Sequence, residues 1–188
     1  MKKSILLFAT ILIATALSAQ TQSHLKYDGI PINGDISNFA QDLTNLGYEY
    51  MDQDKDTFFF TGKNESIGNI LLAIACLPEE AGRTVYAVMV TSPAQPSFGS
   101  CEAIYKRVQR SLDKKYGEGY YDEVIDKDYD EDDIDRMLAI VKGAGHYIST
   151  YLTNDGSITL SIMSNGGLLY TTVAYVDNAN SKKAEKYL

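Results

Sequence analysis

The residues whose types and spacing could do chemistry crowd between Asp122 and Asp135 of this 188-residue chain. Asp126, Asp128, Asp130, Glu131, Asp132, Asp133 and Asp135 place hard oxygen ligands at near-alternate positions, the donor set that calcium takes. A calcium loop also needs Gly at its sixth place and Glu at its twelfth. Counted from Asp126 those places hold Glu131 and Met137, and counted from Asp128 they hold Asp133 and Ala139. Neither frame fits. Asp126, Asp128, Asp130 and Asp132 stay as calcium candidates. The plainer expectation beside them is a solvated loop whose charge complements the N-terminal dipole of a following helix. Asp52, Asp54 and Asp56 repeat the pattern in brief and read as a polar hairpin turn.

Other reactive side chains are few. The chain has two Cys and two His, little material for a metal site built on those ligands. A Cys76–Cys101 bridge would close a loop of about 25 residues and contribute about 3 kcal/mol. The alternative is two separate buried thiols acting as small hydrophobes. His24 and His146 are far from either Cys in sequence. There is no Gly-x-Ser-x-Gly elbow, phosphate loop, dinucleotide glycine fingerprint or His-Glu-x-x-His motif. Asp and Glu are abundant, but nothing selects a pair of them for glycoside hydrolysis. No cofactor is called for.

Charge narrows the partners. With 17 Lys+Arg against 25 Asp+Glu the net charge is −8, a poor match for a phosphate backbone, so nucleic acid is not an expected partner. Within this acidic chain Lys106, Arg107, Arg110 and Lys114 form a local basic stripe, either a docking face or ordinary helix solvation. Fourteen Tyr stand without a single Trp. Tyrosine supplies amphipathic contact area at interfaces, yet most of these fall in predicted strands, where sheet packing accounts for them equally well.

The elements that must position these residues begin after a leader. Lys2 and Lys3, the apolar run from Ile5 to Leu17 and the small Ser18 and Ala19 read as a signal peptide over residues 1–19. The run is shorter than the ~20 residues of a spanning helix, so no stable membrane insertion is expected once it is removed. The expected location is periplasmic or extracellular. Removal takes two Lys and no acid, leaving a net charge of −10.

The exported remainder divides at Ser92-Pro93-Ala94-Gln95-Pro96 into two halves, 20–96 and 97–188. In the first, Leu25 to Ile32 is extended with a turn at Asp28-Gly29. Asp35 caps a helix carrying Ile36, Phe39, Leu43 and Leu46, and four strands follow. In the second, Cys101 to Tyr116 is one amphipathic helix with Ser100 as its cap and Gly117 as its stop. A strand over Tyr120 to Ile125, a shorter helix with Ile134, Met137, Leu138 and Val141 on one side, and three more strands come next. Asn154-Asp155-Gly156 and Asn165-Gly166-Gly167 join those strands as hairpins. A short helix capped by Asp177 or Asn178 closes the chain. The fold class is α+β: antiparallel sheet meanders with helices on one face, in two helix-plus-four-strand halves.

The stretch His24-Leu25-Lys26-Tyr27-Asp28-Gly29-Ile30-Pro31-Ile32-Asn33-Gly34, the helix end Lys114-Lys115-Tyr116-Gly117, the segment Tyr147 to Ser161 and the closing Val176-Asp177-Asn178-Ala179-Asn180-Ser181 resemble uncharacterised secreted proteins of Bacteroides-like gut bacteria. The likeness lies in fold-forming residues and brings no active site with it. A helix followed by a meander, twice, is also similar to the tandem architecture of β-lactamase-inhibitor-like proteins, which implies a concave sheet that grips a partner. The expected function is that of an exported, non-catalytic binding protein acting on an unknown protein or envelope ligand. An envelope hydrolase with a hidden carboxylate site and a calcium-responsive surface protein are the alternatives.

Overall fold

A computed structural model describes residues 23–129 and 132–187. The expected leader lies outside these residues, as do Asp130 and Glu131. Chain order begins with a small hairpin, β1 (Lys26–Tyr27) and β2 (Ile30–Pro31), followed by α1 (Ile36–Asn45). A meander comes next: β3 (Glu49–Asp54), β4 (Thr57–Asn64), β5 (Gly68–Cys76) and β6 (Val85–Thr91). The second half runs α2 (Phe98–Tyr116), β7 (Tyr120–Ile125), α3 (Asp133–Lys142), β8 (Gly145–Leu152), β9 (Gly156–Asn165), β10 (Leu168–Asp177) and α4 (Asn178–Ala184).

All strands after the first hairpin belong to one eight-stranded antiparallel sheet, in the order β3-β4-β5-β6-β10-β9-β8-β7. Each half is thus a helix followed by a four-stranded meander. The two meanders join edge to edge where β6 pairs with β10, Val90 opposite Val173. The α+β reading holds, with α3 inserted in the second half.

Local chemistry explains the boundaries. Asp28 and Gly29 both adopt positive φ (48° and 86°), which a two-residue hairpin turn needs to match strand twist. Asp35 caps α1 by accepting from Ser37 N at 2.8 Å. Asp177 does the same for α4, accepting from Ala179 N and Asn180 N. The helix α2 starts one turn earlier than its apolar spacing suggests. Ser97, not Ser100, is the cap, because Phe98 is buried and belongs to the helix.

The core lies between the helices and one side of the sheet. On that side a row runs across all eight strands: Tyr50, Phe60, Leu72, Val90, Val173, Leu160, Ser149, Tyr121. Phe39 and Leu43 of α1 and Phe98, Cys101, Tyr105 and Leu112 of α2 are buried with its central members in a single cluster. Burying large side chains such as these contributes about 1.5–3 kcal/mol each, which is what holds the helices down. The short α4 folds back against β6, β9 and β10.

The apolar residues of α3 do not all turn inward as their spacing predicts. Ala139 and Ile140 are buried and Met137 packs against the core, whereas Ile134, Leu138 and Val141 are exposed. Apolar residues wrap most of this helix, so periodicity alone does not select the buried side.

Candidate functional site

Among the described residues no helix of α1, α2 or α3 covers the other side of the sheet, and its composition is the most informative surface of the molecule. Strand residues alternate between the two sides, so the pairing registers define two rows across all eight strands of the open face and a third across seven. One reads Asp52, Phe59, Ala73, Met89, Ala174, Thr159, Thr150, Tyr120. The next reads Glu49, Thr61, Leu71, Thr91, Thr172, Ser161, Ile148, Asp122. The third reads Asp54, Thr57, Ala75, Ala87, Val176, Ser157, Leu152.

These rows share a pattern. The outer strand β3 contributes a carboxylate to each, β5, β6 and β10 contribute small or apolar side chains apart from Thr91 and Thr172, and β9 contributes a hydroxyl to each. Large apolar groups stand exposed: Leu71, Met89, Met163 and Leu168, with Leu152 at 82%. Two of the hydroxyls are tied to each other at the centre of the face, Ser161 Oγ lying 2.8 Å from Thr172 Oγ1. At the far edge His146 Nε2 lies 3.0 Å from Asp122 Oδ1. At the near edge the face runs into a depression of about 430 Å³ lined by Asp28, Glu49, Thr61, Lys63 and Asn69.

Tyrosine is mostly elsewhere. Tyr147, Tyr151 and Tyr175 point from the sheet toward the helices, where Tyr27, Tyr48 and Tyr105 meet them. Their hydroxyls are bonded across that layer: Tyr105 to Ser149 Oγ (2.6 Å), Tyr151 to Asp113 Oδ1 (2.7 Å), Tyr48 to Asp28 Oδ2 (3.1 Å). Burial pushes the phenols of Tyr27, Tyr105, Tyr151 and Tyr175 well above the ordinary tyrosine range. Only Tyr120 and Tyr170 stand on the open face, Tyr170 opposite Met163. Sheet packing, not an interface, accounts for most of the tyrosine excess.

The candidates picked from sequence are placed as follows. Cys76 and Cys101 are free and buried, not bridged to each other. Cys76 ends β5, its Sγ donating to Asp56 O, while Cys101 on α2 lies 3.4 Å from Thr171 Oγ1. Each thiol is thus engaged within its own half of the fold. Burial raises the pKa of both. Of the calcium candidates, Asp126 Oδ1 accepts from Asp128 N, and Asp132 caps α3 through Ile134 N and Asp135 N. Among the described residues no group of three or more His, Cys, Asp or Glu is gathered as a metal site.

The basic stripe on α2 is divided. Lys106 turns toward the sheet, pairs with Glu123 and lies 5.5 Å and 5.8 Å from the ring centroids of Tyr105 and Tyr147. Arg107, Arg110 and Lys114 stay exposed on the outer ridge. No helix among the described residues is long and apolar enough to cross a membrane.

Comparison with known proteins adds no name to this geometry: no family model matches the chain, and no match was found among curated proteins or solved structures.

Proposed function

We propose that this is an exported binding protein that grips a protein partner across the open face of its eight-stranded sheet and performs no chemistry of its own. The observation that carries the reading is the set of rows starting at β3, small and largely apolar in the middle and acidic along the β3 margin. A contiguous apolar patch on a soluble domain marks a place of association. The acidic margin of Glu49, Asp52 and Asp54, with Asp122 opposite, favours a partner surface whose apolar centre is bordered by Lys or Arg. The sheet meets such a surface without rearranging, since the strands are bonded to one another on both sides throughout the centre. The basic head and short apolar run of residues 1–19 support export, which places that partner in the cell envelope or outside it.

The test is capture of envelope and medium proteins on the immobilised protein, compared with Met89→Lys and Leu71→Lys variants and with an Arg110→Glu variant on the opposite side. Retention of one protein by the unaltered chain and by Arg110→Glu, lost with both sheet variants and weakened by salt, is the expected result. Capture indifferent to the sheet variants, or no capture, overturns the reading.

A further inference from the structure

The outermost ridge of α3 is apolar. Ile134, Leu138 and Val141 are 68%, 38% and 38% exposed, at the spacing that aligns side chains on one side of a helix. The neighbouring α2 follows the usual rule instead, with Ala103, Arg107, Arg110 and Lys114 outermost. Water-facing ridges of surface helices are ordinarily polar, and among the described residues nothing covers this one.

We infer that the α3 ridge is a self-association surface, on which a second copy of this chain packs its own α3 in antiparallel orientation. Three features of the helix fit that occupant. Leu138 lies near the midpoint between Ile134 and Val141, so a twofold axis beside Leu138 sets Ile134 of each copy against Val141 of the other. A surface used by both members of a twofold pair must be self-complementary in this way. The charges agree as well. Asp135 occupies the first turn and Lys142 the last, so the antiparallel arrangement brings acid to base at both ends and opposes the helix dipoles. The surroundings, finally, are acidic: Asp126, Asp128 and Asp132 are exposed beside the ridge, which disfavours an anionic membrane as the covering surface.

The contact is small. A ten-residue helix is about 15 Å long, and one such ridge falls short of the ~1,200 Å² of a stable interface. The dimer is accordingly weak and concentration-dependent. Because α3 lies on the covered side of the sheet, the two open faces of such a dimer point away from each other. This inference does not depend on what binds there, but it would give the binding protein two outward grips and the avidity that follows.

Sedimentation velocity of the purified protein tests it. Over a rise in concentration from about 1 µM to about 500 µM, the weight-average mass should climb toward about twice the monomer's, as mass action requires. Leu138→Glu should remain monomeric throughout with unchanged circular dichroism. Under mild oxidation Leu138→Cys should cross-link to itself, whereas Ile134→Cys should cross-link efficiently only when mixed with Val141→Cys. An unaltered chain that stays monomeric at the highest concentration, a dimer that survives Leu138→Glu, or self-linking of Ile134→Cys as fast as that of Leu138→Cys overturns the inference. Loss of partner capture with the dimer intact would count against the open-face reading alone.

Discussion

The carboxylate of Asp133 on α3 closes the N-terminus of α2: its Oδ1 accepts from Gly99 N at 2.5 Å and its Oδ2 from Phe98 N at 3.2 Å. Ser97 Oγ takes the next donor, Ser100 N, at 3.1 Å. A helix leaves its first amides without internal partners, and here the inserted helix supplies two of the acceptors from 34 and 35 residues away. A negative group at that point also meets the positive end of the α2 dipole. The inserted α3 is therefore a structural part of the second half and not an appendage to it.

Asp133→Ala removes both acceptors at once. The expected cost is about 1–2 kcal/mol, the usual penalty for a lost cap. For a domain of this size that corresponds to a fall of roughly 2–8 °C in Tm. Asp133→Asn keeps one acceptor oxygen and should lose about half as much. Thermal denaturation followed by circular dichroism distinguishes the two, and equal stability of Asp133→Ala and the unaltered chain would remove the cap from the account.

Gly62 on β4 is the place where the ring of Tyr48 rests directly on backbone. A Cβ built there would collide with the ring edge. Alanine ordinarily improves a strand, but Gly62→Ala should destabilise by about 1–3 kcal/mol as the ring is forced off its site. The ring cannot move freely, because its hydroxyl is bonded to Tyr27 and Asp28. Gly62→Ala made in a Tyr48→Ala background should then cost little. Additivity of the two changes in denaturant unfolding would contradict the contact.

How far the fold could be read from the residues alone differs from element to element. The turns at Asp28-Gly29 and Asn165-Gly166-Gly167 and the caps Asp35 and Asp177 are legible because backbone geometry at those points admits few residue types. Helix and strand order follow from them. The open face is not legible. In β5 the run Ile70-Leu71-Leu72-Ala73-Ile74-Ala75 is apolar on both sides, so no alternation says which side the helices cover. The α3 ridge escapes for the same reason, with apolar residues all round. Pairing of Lys106 with Glu123 depends on β7 lying near α2, a contact between segments that no local pattern encodes. Asp52, Asp54 and Asp56 read in the sequence as a polar turn, and only the register shows that Glu49, Asp52 and Asp54 head three rows of one surface.

The buried phenols make alkaline stability a measurable consequence. Tyr147 is pushed up to about 12, chiefly by burial and then by the nearby Glu102. Tyr27, Tyr48, Tyr105, Tyr151 and Tyr175 are raised as well. A raised folded pKa means the fold holds the proton more tightly than the unfolded chain does. The stabilisation is complete below the unfolded tyrosine value of about 10 and is lost as pH climbs from there through the folded values. Ultraviolet titration at about pH 11 should show fewer ionised tyrosines in the native protein than in denaturant, where all fourteen titrate together. Native and denatured curves that coincide would show the rings to be solvated.

The thiols give a second reading of burial. Cys101 is 0% and Cys76 3% exposed. Neither should react with a thiol reagent at neutral pH while the chain is folded, since burial also holds both in the unreactive thiol form. Unfolding without reductant should release two reactive groups. Release of none would mean that the pair is bridged.

Asp177 has a wider consequence for how the molecule assembles. Its carboxylate, fully buried, accepts from Leu25 N and lies 3.0 Å from His24 Nδ1, while its other oxygen holds Ala179 N and Asn180 N. Asn180 in turn donates to Ile32 O and Val85 O. The earliest described residues are therefore locked by some of the last, 152 positions away for Leu25. Closing so long a loop is entropically slow. That early stretch, apolar Leu25 and Ile32 included, must wait until the end of β10 has been made. A chain released before residue 177 would carry that stretch uncovered, and quality control could recognise it as incomplete.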